Sequence, residues 1–263
     1  MTSDVDAIVA GHICLDIYPS LSHLPLGKFF DILQPGRLIE VGDAVFSTGG
    51  LVSNTGIALH KLGVNTRLVG KIGQDLFGGA VLDIIRSFGE QLAENMQVDH
   101  SSSTSYTFII SPPGIDRMFL HSPGANNTFS ASDIPYEEIA KARLFHFGYP
   151  PVMQRIFENE GAELISLFKQ AKATGVTTAL DICFLDPGSP GGKVNWKAIY
   201  QAALPYVDIF LPNIEELMFT IRPEEYLKIR SKAGENGFLS LVTTDLLEDL
   251  TSCLLYTSPS PRD

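Results

Sequence analysis

Cysteine and basic residues are scarce in this chain of 263 residues. The three cysteines, Cys14, Cys183 and Cys253, are far apart and form no Cys-x-x-Cys pair, so the sequence predicts neither a disulfide framework nor a zinc site. The 19 lysines and arginines are outnumbered by 30 aspartates and glutamates, which gives a net charge of −11. That charge argues against nucleic acids and anionic membranes as partners, because both are bound through basic patches.

The sequence also lacks segments that would cross a membrane or direct secretion. No apolar stretch reaches the roughly 20 residues that a transmembrane helix needs. Residues 1–4 are acidic at their end, unlike the basic start of a signal peptide. We therefore expect a cytoplasmic protein.

Short apolar runs alternate with segments of helical periodicity along most of the chain. Strands are predicted at residues 7–11, 66–69, 144–147, 176–182 and 207–211, and helices at residues 53–62 and 77–88 and between residue 164 and Gly175. After Glu216 a helix is expected to run through residue 232. This alternation is typical of βαβ units around a mostly parallel sheet, so the predicted fold class is α/β.

Two stretches, residues 13–47 and 103–122, lack helical periodicity. In the second, two apolar runs flank a turn at residues 112–114, Pro-Pro-Gly, and predict a hairpin. We assign both stretches to a small β lid over the edge of the main sheet. The alternative is that they are two ordinary β excursions without a lid function.

The last residues differ in character from the rest. Residues 256–263 contain two prolines among serines and have no apolar period, so they cannot continue a helix or a core strand. We expect one domain over residues 1–255 and a tail that is either non-native or naturally disordered.

Two glycine-rich clusters each lead into a predicted helix. Gly49 and Gly50 precede Asn54 in the first, and Asp75 lies inside the second, at residues 70–78. Glycine clusters mark turns or places where the backbone must approach something closely. Loops at the mouth of an α/β sheet bind ligands, and Asn54 and Asp75 could hydrogen-bond a hydroxylated ligand there. Each could instead cap its helix.

These clusters, Gly-Gly-x-x-x-Asn and Gly-x-x-Gly-x-Asp-x-x-Gly, resemble the first signature region of the ribokinase family of PfkB-type sugar kinases. Gly-Ala-Asn at residues 124–126 and Pro-Asn-x-x-Glu at residues 212–216 are similar to two later motifs of that family. The resemblance covers roughly residues 6–220. It implies a three-layer, doubly wound, mostly parallel sheet with a β lid.

The resemblance also implies a set of site residues. The sugar side consists of Asp16, Gly49, Gly50 and Asn54, with Asp16 contacting sugar hydroxyls. The nucleotide side consists of Asp181, Asn213 and Glu216, and Glu216 would bind Mg²⁺ through water. From the residues alone, the preferred interpretation of Asn213 and Glu216 is a capping box at the start of a helix.

The function implied by the resemblance is transfer of the γ-phosphoryl group of ATP to a sugar hydroxyl, with ATP and Mg²⁺ as cofactors. The family's Gly-Ala-Gly-Asp motif, which carries the catalytic base and the anion hole, does not occur in the 263 residues. We therefore expect that the C-terminal part is missing and that this chain is inactive, and we assign no catalytic base.

Other readings of the sequence remain. A non-catalytic sugar-binding module on the same scaffold is the alternative from another functional class. A Rossmann dehydrogenase is disfavoured because Gly11 is the only glycine of the fingerprint after the first strand, and no P-loop motif occurs. The partners expected are a small sugar and ATP, and the β lid is a candidate surface for a homodimer.

Overall fold

The computed structural model describes residues 5–184, 186–233 and 237–255. The strands β1 to β11 are Ala7–Gly11, Cys14–Ser20, Gly42–Gly49, Thr66–Val69, Lys71–Gly73, Gln97–Asp99, Tyr106–Ile110, Met118–Ser122, Leu144–Gly148, Thr177–Asp181 and Ile209–Phe210. The helices α1 to α9 are Phe29–Ile32, Leu51–Lys61, Leu76–Phe88, Tyr136–Ile139, Gln154–Ala173, Trp196–Ala203, Ile214–Ile221, Pro223–Ala233 and Thr244–Leu255. Residues 158–161 interrupt α5 with non-helical backbone.

The main sheet has five parallel strands in the order β11-β10-β9-β1-β4. From β1 the chain first builds outward to β4, then returns to the other side of β1 and continues through β9, β10 and β11. The strand order therefore reverses between β1 and β9, which is where open α/β sheets bind ligands. The predicted α/β fold with a mostly parallel sheet is confirmed.

Helices cover both faces of this sheet. In β1, Ile8 and Ala10 face the core that α5 and α6 close, whereas Val9 faces the core under α2 and α3. Side chains alternate between the two faces of a strand, and here both faces are buried. This explains why β1 reads as a continuous apolar run, and it gives the fold its three layers.

A second sheet lies beside the cavity described below. Its strand order is β3-β2-β7-β8, with β7 and β8 forming the expected hairpin and β2 pairing with β7 in parallel. Residues 13–47 and 103–122 supply these strands, except that β3 continues to Gly49. Several large apolar side chains of this sheet are exposed: Val45, Phe46, Phe108, Phe119 and Leu120.

The C-terminal third differs from expectation in two elements. The helix expected to continue to residue 232 breaks at Arg222, because Pro223 cannot donate the helical hydrogen bond and restricts the residue before it. The strand expected at residues 207–211 is reduced to the two residues of β11, at the edge of the sheet.

The expected division into one domain of residues 1–255 and a tail stays a prediction, and residues 256–263 lie outside the described part. None of the helices in the described ranges is both long and apolar enough to cross a bilayer.

Candidate functional site

A cavity of about 1130 Å³ opens at the carboxyl ends of the parallel strands, between the main sheet and the second sheet. His12 reaches it from the end of β1, Tyr149 from the end of β9, and Cys183 from the end of β10. Asp16 and Thr107 line it from β2 and β7 of the second sheet. The cavity therefore lies at the point where the strand order reverses.

Four of the seven predicted site residues line this cavity: Asp16, Gly50, Asn54 and Glu216. Within the described part of the chain, Gly49, Asp181 and Asn213 are not among the lining residues. Gly49 lies against Asp16, and Asp181 and Asn213 interact with Glu216. The structure thus brings both predicted groups to one cavity. Their roles in binding stay predictions.

Asp16 presents a half-buried carboxylate to the cavity. It lies within β2, paired with Thr107 of β7, and β2 begins after the end of β1 at Gly11. The thiol of Cys14 donates a hydrogen bond of 3.2 Å to Oδ1. Partial burial raises the pKa of Asp16, against the effect of the hydrogen bonds from Cys14 and Thr107. The carboxylate is thus fixed in place and offers acceptors to a ligand with hydroxyl groups.

Gly49 and Gly50 make room for side chains of this chain. A Cβ on Gly49 would overlap Oδ2 of Asp16. Gly50, the residue before α2, has a φ of +85°, and a Cβ there would lie 2.5 Å from Nδ1 of His12. The glycine pair is therefore required so that Asp16 and His12 can pack against the backbone at the start of α2.

Asn54 lies within the first turns of α2, exposed and facing the cavity. It is not the N-cap, because Gly50 occupies that position. Its side chain favours the ionised form of the Tyr149 hydroxyl, but burial dominates and raises the pKa of Tyr149 to about 12. The amide can donate to one hydroxyl and accept from another.

His12 was missed by the sequence reasoning, which considered only Gly11 before it. Its side chain is 4% exposed, and its ring centroid lies 5.1 Å from that of His121. Burial, with a smaller contribution from His121, lowers the pKa of His12 to about 3. A polar residue directly after a buried strand, at the edge that holds the other candidates, was the signal available in the sequence.

The Gly-Ala-Asn motif anchors the segment between β1 and β2. Asn126 is fully buried, and its Nδ2 donates to the carbonyl of Ile13 at 2.8 Å. Its Oδ1 accepts from the Ile13 N–H at 3.3 Å. This pair of hydrogen bonds fixes the backbone midway between His12 and Cys14.

Asp75 caps α3, as the alternative interpretation holds. Its Oδ1 accepts from the Gly78 N–H at 2.8 Å and from the Thr104 hydroxyl at 2.6 Å, while Oδ2 accepts from the Thr104 N–H at 2.8 Å. The carboxylate ties α3 to the segment leading into β7. In the described part of the chain it does not line the main cavity.

Asn213 and Glu216, which the sequence predicts for the nucleotide side, form a reciprocal capping box at the start of α7. Oδ1 of Asn213 accepts from the Glu216 N–H, and Oε2 of Glu216 accepts from the Asn213 N–H, both at 2.9 Å. Desolvation and the nearby charge of Asp181 raise the pKa of Glu216, although backbone hydrogen bonds oppose the shift. Burial raises the pKa of Asp181, at the end of β10, to about 6.

No group of three or more metal-ligating side chains that could hold an ion occurs within the described ranges. Mg²⁺ keeps several water ligands and is often held by one or two carboxylates together with substrate phosphates. A half-buried Glu216 that lines the cavity fits such a water-mediated contact and does not by itself form a metal site.

The sequence matches a known protein family and is similar to several characterised proteins. Residues 12–234 match the family model described as pfkB family carbohydrate kinase. Fructokinase-2 of Oryza sativa subsp. japonica is 29% identical over 152 residues, which cover 57% of this chain and 43% of that protein. Fructokinase-2 of Solanum lycopersicum is 27% identical over 198 residues, which cover 73% and 56%. The chain spans about half the length of the curated relatives it matches.

Solved structures share the fold at low sequence identity. The ribokinase from Giardia lamblia superposes with a TM-score of 0.67 at 20% identity, covering 98% of this chain and 67% of that one. The Arabidopsis thaliana ribokinase complexed with ribose and ATP gives 0.66 at 19% identity, covering 97% and 69%. This likeness supports the ribokinase-like fold.

Proposed function

Because the chain belongs to the pfkB family of carbohydrate kinases, we propose that its cavity binds a sugar and that the complete protein transfers the γ-phosphoryl group of ATP to a sugar hydroxyl. The observation that carries this proposal is the carboxylate of Asp16. It lines a cavity at the reversal point of the sheet and is held there against Gly49.

The sugar side supplies complementary hydrogen-bonding groups. The Asp16 carboxylate accepts from hydroxyls, and the Asn54 amide both donates and accepts. Both side chains line the same cavity. Groups held in place before binding orient the reacting hydroxyl, and such positioning provides much of the catalysis in phosphoryl transfer.

On the nucleotide side, we assign Asp181, Asn213 and Glu216 to the region of the ATP phosphates. One of the similar solved structures holds ATP together with ribose, which supports a nucleotide as the second substrate. Mg²⁺ would contact Glu216 through water and would neutralise charge on the phosphates. Asn213 would act indirectly, by fixing the Glu216 carboxylate through the capping box.

No residue of this chain is assigned as the catalytic base. Gly-Ala-Gly-Asp does not occur among the 263 residues. The glycines of such a motif would present backbone N–H groups to the transferred phosphoryl group, and losing one donor of this kind lowers rates by about 10²–10³. We therefore propose that these 263 residues alone do not transfer phosphoryl groups. A sugar-binding module without catalysis is the second candidate, since the sugar side does not depend on the missing motif.

Two further expectations remain proposals. The exposed apolar face of the second sheet that includes Phe46, Phe108 and Leu120, which the strand register places on the side away from Asp16, would be covered in a homodimer that pairs these sheets. The cytoplasmic location expected from the sequence stays a prediction, and one similar plant protein is described as chloroplastic.

Calorimetric titration of the chain with D-fructose, D-ribose and D-gluconate tests the sugar side. Asp16→Asn keeps the shape of the side chain and removes its charge, and we expect it to weaken sugar binding by about tenfold or more. Asp43→Asn, at an exposed position of β3 in the same sheet, is the matched control. Equal affinities of wild type and Asp16→Asn for every sugar would exclude Asp16 from the site.

A further inference from the structure

His12 is a buried imidazole that lacks hydrogen-bond partners. Its side chain is 4% exposed and lines the cavity, and neither ring nitrogen has a partner in the described part of the chain. Buried polar groups are nearly always hydrogen-bonded, because leaving one unpaired destabilises the folded state. A ligand in the cavity is the partner that would satisfy this ring.

Two rings and one glycine surround His12. The Tyr149 ring centroid lies 6.1 Å away and that of His121 lies 5.1 Å away. Gly50 lies next to Nδ1 of His12 and has no side chain that could pair with it. These neighbours cover the imidazole with groups that do not pair with it.

His121 is the neighbour that can move most easily. It is exposed and belongs to β8, which lies at the edge of the second sheet and, among the strands that the structure describes, pairs with β7 alone. Nδ1 of His121 shares a 3.0 Å hydrogen bond with the hydroxyl of Thr107. A rotation of the His121 side chain would break that hydrogen bond and widen the access of a ligand to the His12 ring.

The protonation state of His12 limits what it can bind. Burial, and then the nearby His121, lower the pKa of His12 to about 3, so the ring is neutral near pH 7. A neutral imidazole has one donor nitrogen and one acceptor nitrogen. A hydroxyl group also donates and accepts, so it can pair with either nitrogen, whereas a carboxylate or phosphate only accepts and can pair with the donor nitrogen alone.

We propose that His12 determines the substrate class, by hydrogen-bonding the hydroxyls of an uncharged sugar after His121 has moved aside. The inference rests on the proposed function and deepens it. The Asp16 carboxylate in the same cavity adds to the selection, because it repels an anionic substrate.

Arg117 favours an anionic sugar over an uncharged one. It lines the cavity and could bind a sugar acid. Its side chain is exposed, and its guanidinium lies 5.7 Å from the ring of Phe119. Solvent screens an exposed charge, so the buried His12 and the half-buried Asp16 outweigh Arg117.

Two substitutions at His12 separate its hydrogen bonds from its volume. His12→Asn keeps one donor and one acceptor, and we expect D-fructose affinity within about threefold of wild type. His12→Phe keeps a ring without nitrogens and should weaken D-fructose binding by about tenfold or more. His146→Asn is the matched control, because His146 is also 4% exposed, and it lies on β9 rather than among the cavity-lining residues.

The imidazole ¹⁵N resonances of the wild-type chain report on His12 without any change to the structure of the protein. We expect D-fructose to shift the resonances of His12, assigned by their absence in His12→Asn, and to leave those of His146 in place. D-Gluconate should shift neither. Calorimetry should show the same preference for D-fructose over D-gluconate.

The possible failures differ in meaning. D-Fructose binding that leaves the His12 resonances in place, or that His12→Phe retains in a folded chain, overturns this inference and leaves the proposed function intact. Preferred binding of D-gluconate that is lost in Arg117→Gln assigns the specificity to Arg117 instead. Absence of binding to any sugar tested contradicts the proposed function and this inference together.

Discussion

In the part of the cavity proposed to bind the sugar, called the sugar side, contacts hold residues that are far apart in the sequence, whereas in the part proposed to bind the nucleotide, called the nucleotide side, the capping contacts are local. Asn126 anchors Ile13, 113 positions away, and the second sheet brings Asp16 against Gly49. Asn213 and Glu216, by contrast, hold each other within one turn of α7. The sugar side therefore depends on the tertiary structure, and the nucleotide side largely on one helix end.

This difference has an energetic consequence. A substitution at the glycines of the sugar side would disturb neighbouring elements, because a Cβ on Gly49 would overlap Asp16 of β2 and a Cβ on Gly50 would overlap His12, next to β1. A substitution at the start of α7 removes one cap of a helix whose other contacts remain. We therefore expect the sugar side to tolerate change far less than the nucleotide side, and each prediction below tests that expectation.

The largest expected effect is at Gly50. Gly50 and Gly63 have φ values of +85° and +84°, but a Cβ meets His12 at Gly50 and nothing within 4 Å at Gly63. Alanine at Gly63 should cost only the backbone strain, about 1 kcal/mol. Alanine at Gly50 adds overlap with the backbone and ring of His12, for a total of about 3 kcal/mol.

Urea unfolding of Gly50→Ala and Gly63→Ala measures both costs with the same substitution at nearly the same φ. Gly50 also has a ψ of 169°, in a backbone region that essentially only glycine adopts, so its larger loss combines backbone strain with the contact to His12. Equal losses in the two variants would show that the start of α2 is not packed as described.

The next effect is at Asn126. Asn126→Ala removes both hydrogen bonds to Ile13 in a fully buried position, and should lower the free energy of unfolding by about 2–3 kcal/mol. Asn127→Ala, one residue away, removes a single hydrogen bond from the Gln154 N–H at a less buried position, and should cost about 1 kcal/mol or less. Thermal unfolding of the pair tests this order, and an equal loss in both would argue against the anchoring role of Asn126.

Local patterns in the sequence were sufficient for much of the main sheet and for the cap of α7. The strands predicted at residues 7–11 and 66–69 are confirmed, since continuous apolar runs mark strands buried on both faces. Pro223 also marks a helix break in the sequence itself. The prediction of one continuous helix across it was wrong because this proline was overlooked.

The long-range contacts of the sugar side could not be predicted in the same way. The close approach of Asp16 to Gly49 depends on the register of β2 and β3, and the contact between the His121 and His12 rings depends on where the second sheet lies. Neither of these two contacts produces a periodic pattern or a fixed residue spacing in the sequence. The motif resemblance named Asp16 and the glycines, but not the internal contacts that make those glycines necessary.

A smaller effect, with a defined dependence on pH, is expected at Asp181. Burial raises its pKa to about 6, above the ~3.9 of an aspartate in an unfolded chain. The folded state thus binds the proton more tightly, and this contribution to stability is complete below about pH 4 and is lost as the pH rises through 6. Asp181→Asn cannot ionise, so it should melt at a higher temperature than wild type at pH 8 and show little difference at pH 4.5.

Asp208 provides a control of opposite sign. Partial desolvation acts to raise its pKa, but hydrogen bonds from Lys172 and Thr178 outweigh this and lower it. Its contribution to stability is therefore present above about pH 4 and is lost as the pH falls. Asp208→Asn should be less stable than wild type at pH 8. A melting temperature of Asp181→Asn that follows wild type from pH 4.5 to pH 8 would refute the raised pKa.

The smallest expected effect is at Glu216, where it separates a cap from a ligand. Glutamine can complete a capping box as glutamate does, so Glu216→Gln should change the free energy of unfolding by less than about 0.5 kcal/mol, whereas Glu216→Ala should cost about 1 kcal/mol. Glu215→Gln removes an equal charge from the same first turn and serves as the control.

The Mg²⁺ requirement of the complete protein distinguishes a ligand from a cap. If the Glu216 carboxylate contacts Mg²⁺ through water, this requirement should rise in both Glu216 variants but not in Glu215→Gln. A Mg²⁺ requirement that rises only in Glu216→Ala, together with the loss of stability, would reduce Glu216 to a helix cap and leave the nucleotide side without its metal contact.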